Sequence, residues 1–489
     1  MSTRNVVAVL CAAAAWPLGA RADTADDLRE VRQQLAEIKA SYEARVQALE
    51  ARLQALQTHI EAGAQRPAAA SPPEGVPTPV PNAAAAPTAI PAVAPTEAAP
   101  PTGAAAGGVA AFNPAISLIL NGTYAQVSQD PTRHRIQGFI PSGGEVGPPP
   151  RSFSLGESEL TLAANVDPTF SGRLTASITP DDRISVEEAL FERQGLFDGA
   201  TLRVGRFLST IGYLNAQHAH AWDFTDAPLA YQAFFGGQTQ TDGLHVHWIA
   251  PTERYVELGL ELGAGRGFPG SDTNRNGIGS TALVAHVGDD VGESGSWRAG
   301  LSWVANRASQ RAYGDVNAAG RPVTNLFDGS SRTWVADAIF KWAPGGNATR
   351  TNLKLQAEYL RRTESGTLTS DAPAAAGLAD GYRSSQSGWY AQAVYQFMPQ
   401  WRAGLRYDRL DSGAPRIGLV DSGALTAADF PILESARPSR TTAMVDWSLS
   451  EFSRFRLQIA ADRSNPAVTD RQLFLQYIMS LGAHGAHAF

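Results

Sequence analysis

From Phe112 onwards, apolar and polar residues alternate along one segment of the chain after another. Residues 351–363 show the pattern clearly, with apolar residues on one face and polar residues on the other: Leu353, Leu355, Ala357 and Tyr359 against Lys354, Gln356 and Glu358. A period of two is that of a β-strand with one apolar face. The segments are about as long as a tilted strand needs to cross a membrane, which is about 9–11 residues.

Two further patterns favour a membrane barrel over a soluble β-sandwich. Aromatic residues stand at the ends of the apolar faces, as in the girdles of membrane barrels: Trp334, Trp342, Trp389, Phe397, Trp401 and Tyr407. Short connections alternate with long ones; the short ones are 167–169, 251–253, 398–400 and 450–452, and the long ones are 128–151, 208–242, 266–278, 307–331, 364–385 and 411–437. We therefore predict an all-β fold, an antiparallel transmembrane β-barrel of about sixteen strands, over residues 112–489.

The residues before the barrel divide into three parts. Residues 1–22 resemble a secretion signal, with Arg4, a short apolar run and a small-x-small cleavage site at Ala20-Arg21-Ala22. Residues 23–62 show a heptad seam that predicts an α-helical coiled coil and association between chains, although a helix lying on its own barrel is the alternative. Residues 63–111 are rich in proline and alanine, which predicts an extended linker. An even strand number places both ends of the barrel, and therefore the helix, on the periplasmic side.

Composition excludes several classes of function. The formal net charge is −7, and this mildly acidic balance argues against nucleic acid as a partner. The single cysteine, Cys11, lies in the signal, so the mature chain offers neither a disulfide framework nor a thiolate metal site. No nucleophile elbow, phosphate-binding loop or dinucleotide fingerprint appears in a suitable context, so we expect no cofactor and no enzymatic activity.

One local motif resembles a known family. Residues 200–215 contain a strand reading L-R-x-G-R-F, which is similar to a segment of the phosphate-selective porin O and P superfamily: Leu202, Arg203, Gly205, Arg206 and Phe207. In that superfamily the strand leads into a loop that folds inward. The layout of stalk, linker and barrel resembles the trimeric DcaP-type porins. The resemblance implies a porin fold and a homotrimer, but the sequence lacks an evident lysine ladder for phosphate selectivity. It also lacks material for the plug of a TonB-dependent receptor.

The connection 208–242 is the expected constriction of the pore. It carries aromatic residues that would be unusual on a freely solvated loop: Tyr213, Trp222, Phe224, Tyr231, Phe234 and Phe235. A loop folded into the lumen would face charged residues of the wall. Our candidates for the constriction and the lumen are Arg203, Arg206, His218, His220, Asp223, Asp226, Arg298, Lys341, Arg402 and Arg406. The simpler interpretation is that most of these charges pair with one another across strands.

Histidines occur in close pairs, His218 with His220 and His245 with His247. Residues two apart on a strand share a face, so His245 and His247 are expected to point into the lumen beside Glu257 and Glu261 of the next strand. Imidazole and carboxylate together suit Zn²⁺ and similar cations. This quartet is a candidate metal site, and histidines hydrogen-bonded within a polar lumen are the alternative.

These patterns predict a Gram-negative outer-membrane porin that lets small hydrophilic solutes diffuse passively through a water-filled barrel narrowed by 208–242. Its expected partners are the lipid bilayer, the solutes and two further copies of the chain. Three alternatives stay open at this point: a zinc-related uptake protein, a transporter like a TonB-dependent receptor, and an anchor or adhesin with a closed barrel. An outer-membrane enzyme would need a serine and histidine pair at the lipid-facing rim, and no such pair stands out.

Overall fold

The computed structural model describes residues 115–143, 146–179, 183–271, 274, 276–371 and 377–482. Contacts divide the chain into Met1–Pro87 and Thr88–Phe489, and every described residue belongs to the second unit. The predicted signal, coiled-coil helix and linker lie outside the described residues, as does the C-terminal Phe489.

Eighteen β-strands account for most of the described chain. Their bounds are β1 Ala115–Val127, β2 Ser152–Leu155, β3 Ser158–Asp167, β4 Phe170–Ile178, β5 Ile184–Gln194, β6 Ala200–Leu208, β7 Gln240–Ile249, β8 Tyr255–Gly263, β9 Ser280–Val291, β10 Gly295–Val316, β11 Pro322–Trp342, β12 Asn352–Ser370, β13 Leu378–Met398, β14 Trp401–Asp411, β15 Arg416–Ile417, β16 Ser439–Ser450, β17 Ser453–Arg463 and β18 Asp470–Gly482. Two of them, β2 and β15, have only 4 and 2 residues and are additions to the edges of longer strands.

The other strands form one closed antiparallel barrel of sixteen strands, which confirms the predicted fold class. Each long strand pairs with the next along the chain, and β14 pairs with β16 across the short β15. The ring closes where β1 meets β18, in a register that runs from Ser117↔Gly482 to Val127↔Gln472. Closure removes the unpaired strand edges that an open sheet of this size would expose.

Burial is inverted relative to a soluble protein, since polar side chains point inward and apolar ones point outward. On β12, Gln356, Glu358 and Arg362 are buried, whereas Leu355 and Tyr359 are 41% and 45% exposed. The alternation follows from the strand geometry, which sends successive side chains to opposite faces. An apolar exterior around a polar interior is the arrangement of a barrel that lies in lipid.

Aromatic side chains form a row on the outer surface beside the turns at 399–400 and 451–452. The ring centroids of Trp401 and Trp447 lie 5.7 Å apart, and those of Trp447 and Phe455 lie 6.1 Å apart. Tyr477 continues the row, at 4.5 Å from Phe455. The strand pairing produces this row, since Trp401 lies opposite Trp447 and Phe455 lies opposite both Trp447 and Tyr477.

Two predicted loops are wrong. The segments 307–331 and 364–385 belong largely to strands, because β10 with β11 and β12 with β13 continue as long hairpins. The hairpins extend past the level where the neighbouring strands end, and the polar residues that suggested loops occupy their solvated ends. Between the predicted connections 128–151 and 167–169 the pattern predicts one strand, but it is interrupted at residues 156–157, where Gly156 donates its N–H to the Asn121 carbonyl at 2.8 Å.

Two short helices lie in the connections, α1 over Leu229–Phe235 and α2 over Gly418–Asp421. Within the described ranges, no helix is both long and apolar enough to cross a lipid bilayer.

A candidate functional site inside the barrel

The connection between β6 and β7, residues 209–239, is named the inner loop here. Asn215 ties its two ends together: the side-chain amide donates to the carbonyls of Ser209 and Thr239 at 2.7 and 2.8 Å. The Asn215 side-chain oxygen accepts the Thr239 N–H at 2.8 Å. Glu261 of β8 holds the first residues of the loop by accepting hydrogen bonds from the Ser209 hydroxyl at 2.6 Å and the Thr210 N–H at 2.7 Å. The loop therefore leaves the wall from a fixed base.

The inner loop crosses the barrel interior. On one side His218 contacts Glu187 of β5, and on the other Asp226 contacts Arg440 of β16 and Gln458 of β17. These wall residues point inward, so a segment that reaches both sets lies within the barrel. The aromatic residues that prompted the prediction are sheltered: all are buried except Tyr213, which is half-buried.

Helix α1 fills part of the interior with an apolar core. Every residue of Leu229–Phe235 is buried, and the helix ends at Gly236 in the left-handed conformation, with φ of 71°. Its side chains pack against inward-facing apolar residues of β11 to β14: Val335, Leu360, Tyr390 and Leu410. These wall residues interrupt the polar lining where the helix covers them, so the hydrophobic effect holds the helix against this wall.

Glu358 of β12 gathers four hydrogen bonds around this core. It accepts from the hydroxyls of Tyr231 and Tyr390, at 2.7 and 2.6 Å. It also accepts the backbone N–H groups of Leu214 and Tyr213, at 3.0 and 3.3 Å. A buried carboxylate requires this degree of hydrogen bonding, because an unsatisfied one is expensive to desolvate. Glu358 therefore fixes the inner loop and α1 to the same point of the wall.

Two aspartates of the inner loop face a row of basic residues on β12 to β17. Asp223 accepts from Lys354 and from Arg402, the latter at 3.2 Å. Asp226 contacts Arg406 at 2.8 Å and Arg440 at 2.6 Å. Four of the predicted constriction residues, Asp223, Asp226, Arg402 and Arg406, are thus brought together.

Both aspartates remain ionised to low pH. Burial alone would raise the pKa of Asp226, but the charges of Arg440 and Arg406 outweigh it and hold that pKa below its usual value. Lys354 and Arg402 do the same for the pKa of Asp223 against its own burial.

Arg298 and Lys341 lie on another part of the wall. Arg298 pairs with Asp337 at 3.1 Å and donates to the Gly212 carbonyl at 3.2 Å. Its guanidinium carbon lies 4.8 Å from the ring centre of Tyr213. Lys341 lines the same small cleft as Arg298 and Tyr213. These two residues therefore contact or approach the first residues of the inner loop.

Arg203 and Arg206 pair instead with acidic residues of the wall. Arg203 meets Glu192 at 2.8 Å, and Arg206 grips both oxygens of Asp242 at 2.6 and 3.0 Å. Gly205 between them has a φ of 127°, and a Cβ at this position would lie 2.1 Å from the Ala189 carbonyl oxygen. Only glycine fits there, which gives the motif around it a structural reason.

The predicted quartet of His245, His247, Glu257 and Glu261 is not assembled as a metal site. Glu257 is hydrogen-bonded to His286 at 2.8 Å and to the Tyr255 hydroxyl at 2.6 Å. Glu261 accepts a hydrogen bond from the Ser209 hydroxyl at the start of the inner loop. Neither ring nitrogen of His245 has a hydrogen-bond partner among the described residues. The register places His286 of β9 opposite Glu257, and Glu257 is bonded to His286 and not to the histidine pair.

The other histidine pair lies in a cluster of carboxylates. His218 places Nδ1 at 2.9 Å from Glu187 and Nε2 at 3.1 Å from Glu188, and Nδ1 also lies 3.3 Å from Glu159. His220 places Nδ1 at 2.8 Å from Glu159. Both histidines of this pair thus lie within hydrogen-bond distance of wall carboxylates.

Glu187 and Glu188 are functional candidates that the sequence pattern did not reveal. Consecutive residues of a regular strand face opposite sides, yet both of these side chains are buried. A bulge explains it: Thr175 pairs with Glu188 and Ala176 with Val186, so Glu187 is the extra residue. Two adjacent glutamates within a predicted strand were the available signal.

Comparisons with known proteins give a fold likeness and one relative. No family model matches the chain. An uncharacterised protein of Aquifex aeolicus (strain VF5) is 29% identical over 355 residues, which is 69% of this chain and 70% of that protein.

Among solved structures, the outer membrane channel DcaP of Acinetobacter baumannii is 11% identical, with a TM-score of 0.43, over 76% of this chain and 99% of that chain. Pseudomonas putida OprB is 14% identical, with a TM-score of 0.43, over 76% of this chain and 94% of that chain. An anion-selective porin from Comamonas acidovorans is 12% identical, with a TM-score of 0.43, over 76% of this chain and 99% of that chain. Likeness at this level concerns the fold and does not identify a solute.

Proposed function

We propose that the chain is an outer-membrane porin through which small hydrophilic solutes diffuse passively, and that the inner loop narrows its pore. The observation that carries the proposal is the inverted burial around a closed ring of sixteen long strands. Barrels of about 16 to 18 strands are wide enough to leave an aqueous channel. A polar lining serves hydrophilic solutes, and passive diffusion needs no catalytic group.

The contacts of the inner loop support the narrowing. The loop carries Asp223 and Asp226 to the basic row on β12 to β17 and His218 to the carboxylates on β3 and β5. A solute passing the loop would meet charges of both signs at short range. Width and charge at such a level are what set selectivity in a pore.

The assembly forms part of the same proposal. The heptad seam in residues 23–62 supports a homotrimer joined by a periplasmic coiled coil, with the linker 63–111 connecting it to the barrel. Crosslinking of two purified proteins, the full-length chain and a chain that lacks residues 23–62, tests this assembly. We expect trimers of the full-length chain and no trimers of the shortened one.

Planar-bilayer recording tests the pore. Purified full-length protein should insert as stepwise increases of current, and reversal potentials in a salt gradient should report its charge preference. A panel of sugars, organic acids and amino acids added to one side would then rank solutes by how far they block the current. A folded barrel that inserts but conducts no current would contradict the proposal.

A silent barrel would favour the anchor or adhesin alternative, and one observation gives that alternative weight. At the end of the barrel that carries the long connections, Ile140, Phe430 and Leu433 pack with inward apolar residues of β10 to β13, including Tyr313 and Phe327. Residues 130–140 and 412–438 thus cover part of the opening. The conductance measurement distinguishes a narrowed pore from a sealed one.

A further inference from the structure

The cluster around His218 has the composition of a metal site. Glu159 of β3, Glu187 of β5 and His218 of the inner loop each offer one ligand atom, and these atoms lie within 4.8 Å of one another. Among the residues that the structure describes, this is the one such group of three or more. Glu188 and His220 lie beside it, at 3.1 Å from His218 and 2.8 Å from Glu159.

An unsatisfied atom points to a missing ligand. Glu187 is only 9% exposed, and its Oε1 is buried without a hydrogen-bond partner in the described part of the chain. Buried polar atoms in proteins are nearly always paired, so an orphaned carboxylate oxygen beside two histidines calls for a cation or a water molecule.

Charge favours the cation. Glu159, Glu187 and Glu188 bring three carboxylates together, and Arg173 of the wall lies 3.5 Å from Glu188. Buried charges of one sign are stable only when they are compensated. A divalent ion would compensate two of these carboxylates at once.

The spacing suits a small tetrahedral ion. Ligands of Zn²⁺ at about 2.0–2.1 Å lie about 3.3 Å from one another. Nδ1 of His218 lies 2.9 Å from Glu187 and 3.3 Å from Glu159, so little movement is needed to place an ion between them. Three protein ligands would leave the fourth position open to water or to another oxygen donor.

We propose that Glu159, Glu187 and His218 form a site for a divalent transition-metal cation of the zinc type in the barrel interior. The ion would take the place between His218 Nδ1 and the two carboxylates. It would join the inner loop to β3 and β5. This inference builds on the proposed pore, since an ion bound there would lie beside the passage. Its binding, however, is measured without any current.

The test is zinc binding by the full chain, purified without a histidine tag and folded in detergent. Equilibrium dialysis against Zn²⁺, and visible absorption with Co²⁺ as a spectroscopic substitute, should give one ion per chain. His484 and His487 could bind zinc independently, so the measurement is repeated with both replaced by alanine. Heat-modifiable mobility on a gel and circular dichroism report whether each variant is folded.

Matched variants decide where the ion binds. Glu187→Gln and His218→Ala should each weaken zinc affinity by about tenfold or more. Glu192→Gln, the same change on the same strand outside the cluster, should leave the affinity unchanged. His247→Ala should also leave it unchanged. Absence of zinc binding, equal affinity in Glu187→Gln and the parent, or loss of binding in His247→Ala would each overturn the proposal. Failure of the pore proposal would appear instead as a barrel that binds zinc but carries no current.

Discussion

Asp226 of the inner loop and Arg440 of β16 form an ion pair in which Oδ2 lies 2.6 Å from Nη1. The Arg440 side chain is only 2% exposed and that of Asp226 is 18% exposed. The other oxygen of Asp226 binds Arg406 at 2.8 Å. One carboxylate thus holds two strands of the wall against the loop, in a setting where water screens the charges weakly.

The first prediction concerns this contact. Asp226→Ala leaves two buried arginines with one fewer partner, and removing one member of a buried pair costs about 3–5 kcal/mol. The loop should be held less firmly against β14 and β16, so single-channel conductance should rise and become noisier. The control is Asp411→Ala, which breaks an ion pair with Arg437 whose side chains are 45% and 69% exposed. That exposed pair should leave the conductance unchanged; equal effects of both variants would show that Asp226 does not hold the loop.

The second prediction concerns the attachment of α1 to Glu358. Tyr231→Phe removes the hydroxyl that donates to Glu358 at 2.7 Å and keeps the aromatic packing. One hydrogen bond to a charged group contributes about 1.5–3 kcal/mol, so the variant should unfold at lower urea concentration. Gly212→Ala should have the larger effect. Its Cβ would lie 2.2 Å from Glu358 Oε2, and the φ of 65° at this position is unfavourable for alanine.

Urea titrations followed by tryptophan fluorescence measure both changes. Limited proteolysis in the native state should also cut residues 209–239 faster in both variants than in the parent. A parent-like midpoint for Tyr231→Phe would mean that Tyr390 alone satisfies Glu358.

The sequence predicted the barrel well because strand alternation is a local property of the chain. Most strand bounds and the count of sixteen follow from a period of two and from the turn residues, without reference to distant contacts. The long hairpins of β10 to β13 were missed because the outward faces of their outer halves carry polar residues, as loops do: on β12 these are Arg361, Thr363, Ser365 and Thr367.

The site was harder to predict, because it depends on register and on chain crossing. Asp223 and Asp226 were identified as candidates, but their partners Arg402 and Arg406 are about 180 residues away and become neighbours only through the loop. A single bulge turned Glu187 inward against the alternation. The orientation of Glu257 depended on His286, which lies on the next strand but had no place in the predicted quartet.

The third prediction tests the strained glycine of β6. Gly205→Ala should destabilise the barrel or prevent its folding, because the Cβ would collide with the Ala189 carbonyl and the φ of 127° disfavours any side chain. Gly122→Ala is the matched control on β1, since no atom lies within 4 Å of a Cβ there. The control should fold as the parent does or be slightly more stable. Heat-modifiable mobility of the refolded proteins compares the two, and a fully folded Gly205→Ala would disprove the assigned strain.

The fourth prediction concerns the acid limit of the loop contact. The pKa of Asp226 lies below its usual value of 3.8, because the charges of Arg440 and Arg406 outweigh the effect of burial. A carboxylate with a lowered pKa contributes stability that is complete above the usual value and is lost as the pH falls through the lowered one. The conductance of the parent should therefore stay constant between pH 7 and about pH 4.5, and it should increase only below about pH 3.8.

Other groups also titrate in this range, so the relevant quantity is the difference in conductance between the parent and Asp226→Asn, which has no carboxylate to protonate at this position. That variant should show the raised, noisier conductance already at pH 7 and lack the additional step in acid. If the conductance of the parent instead rises between pH 5 and 6, and the conductance of Asp226→Asn rises over the same range, then groups other than Asp226 hold the loop.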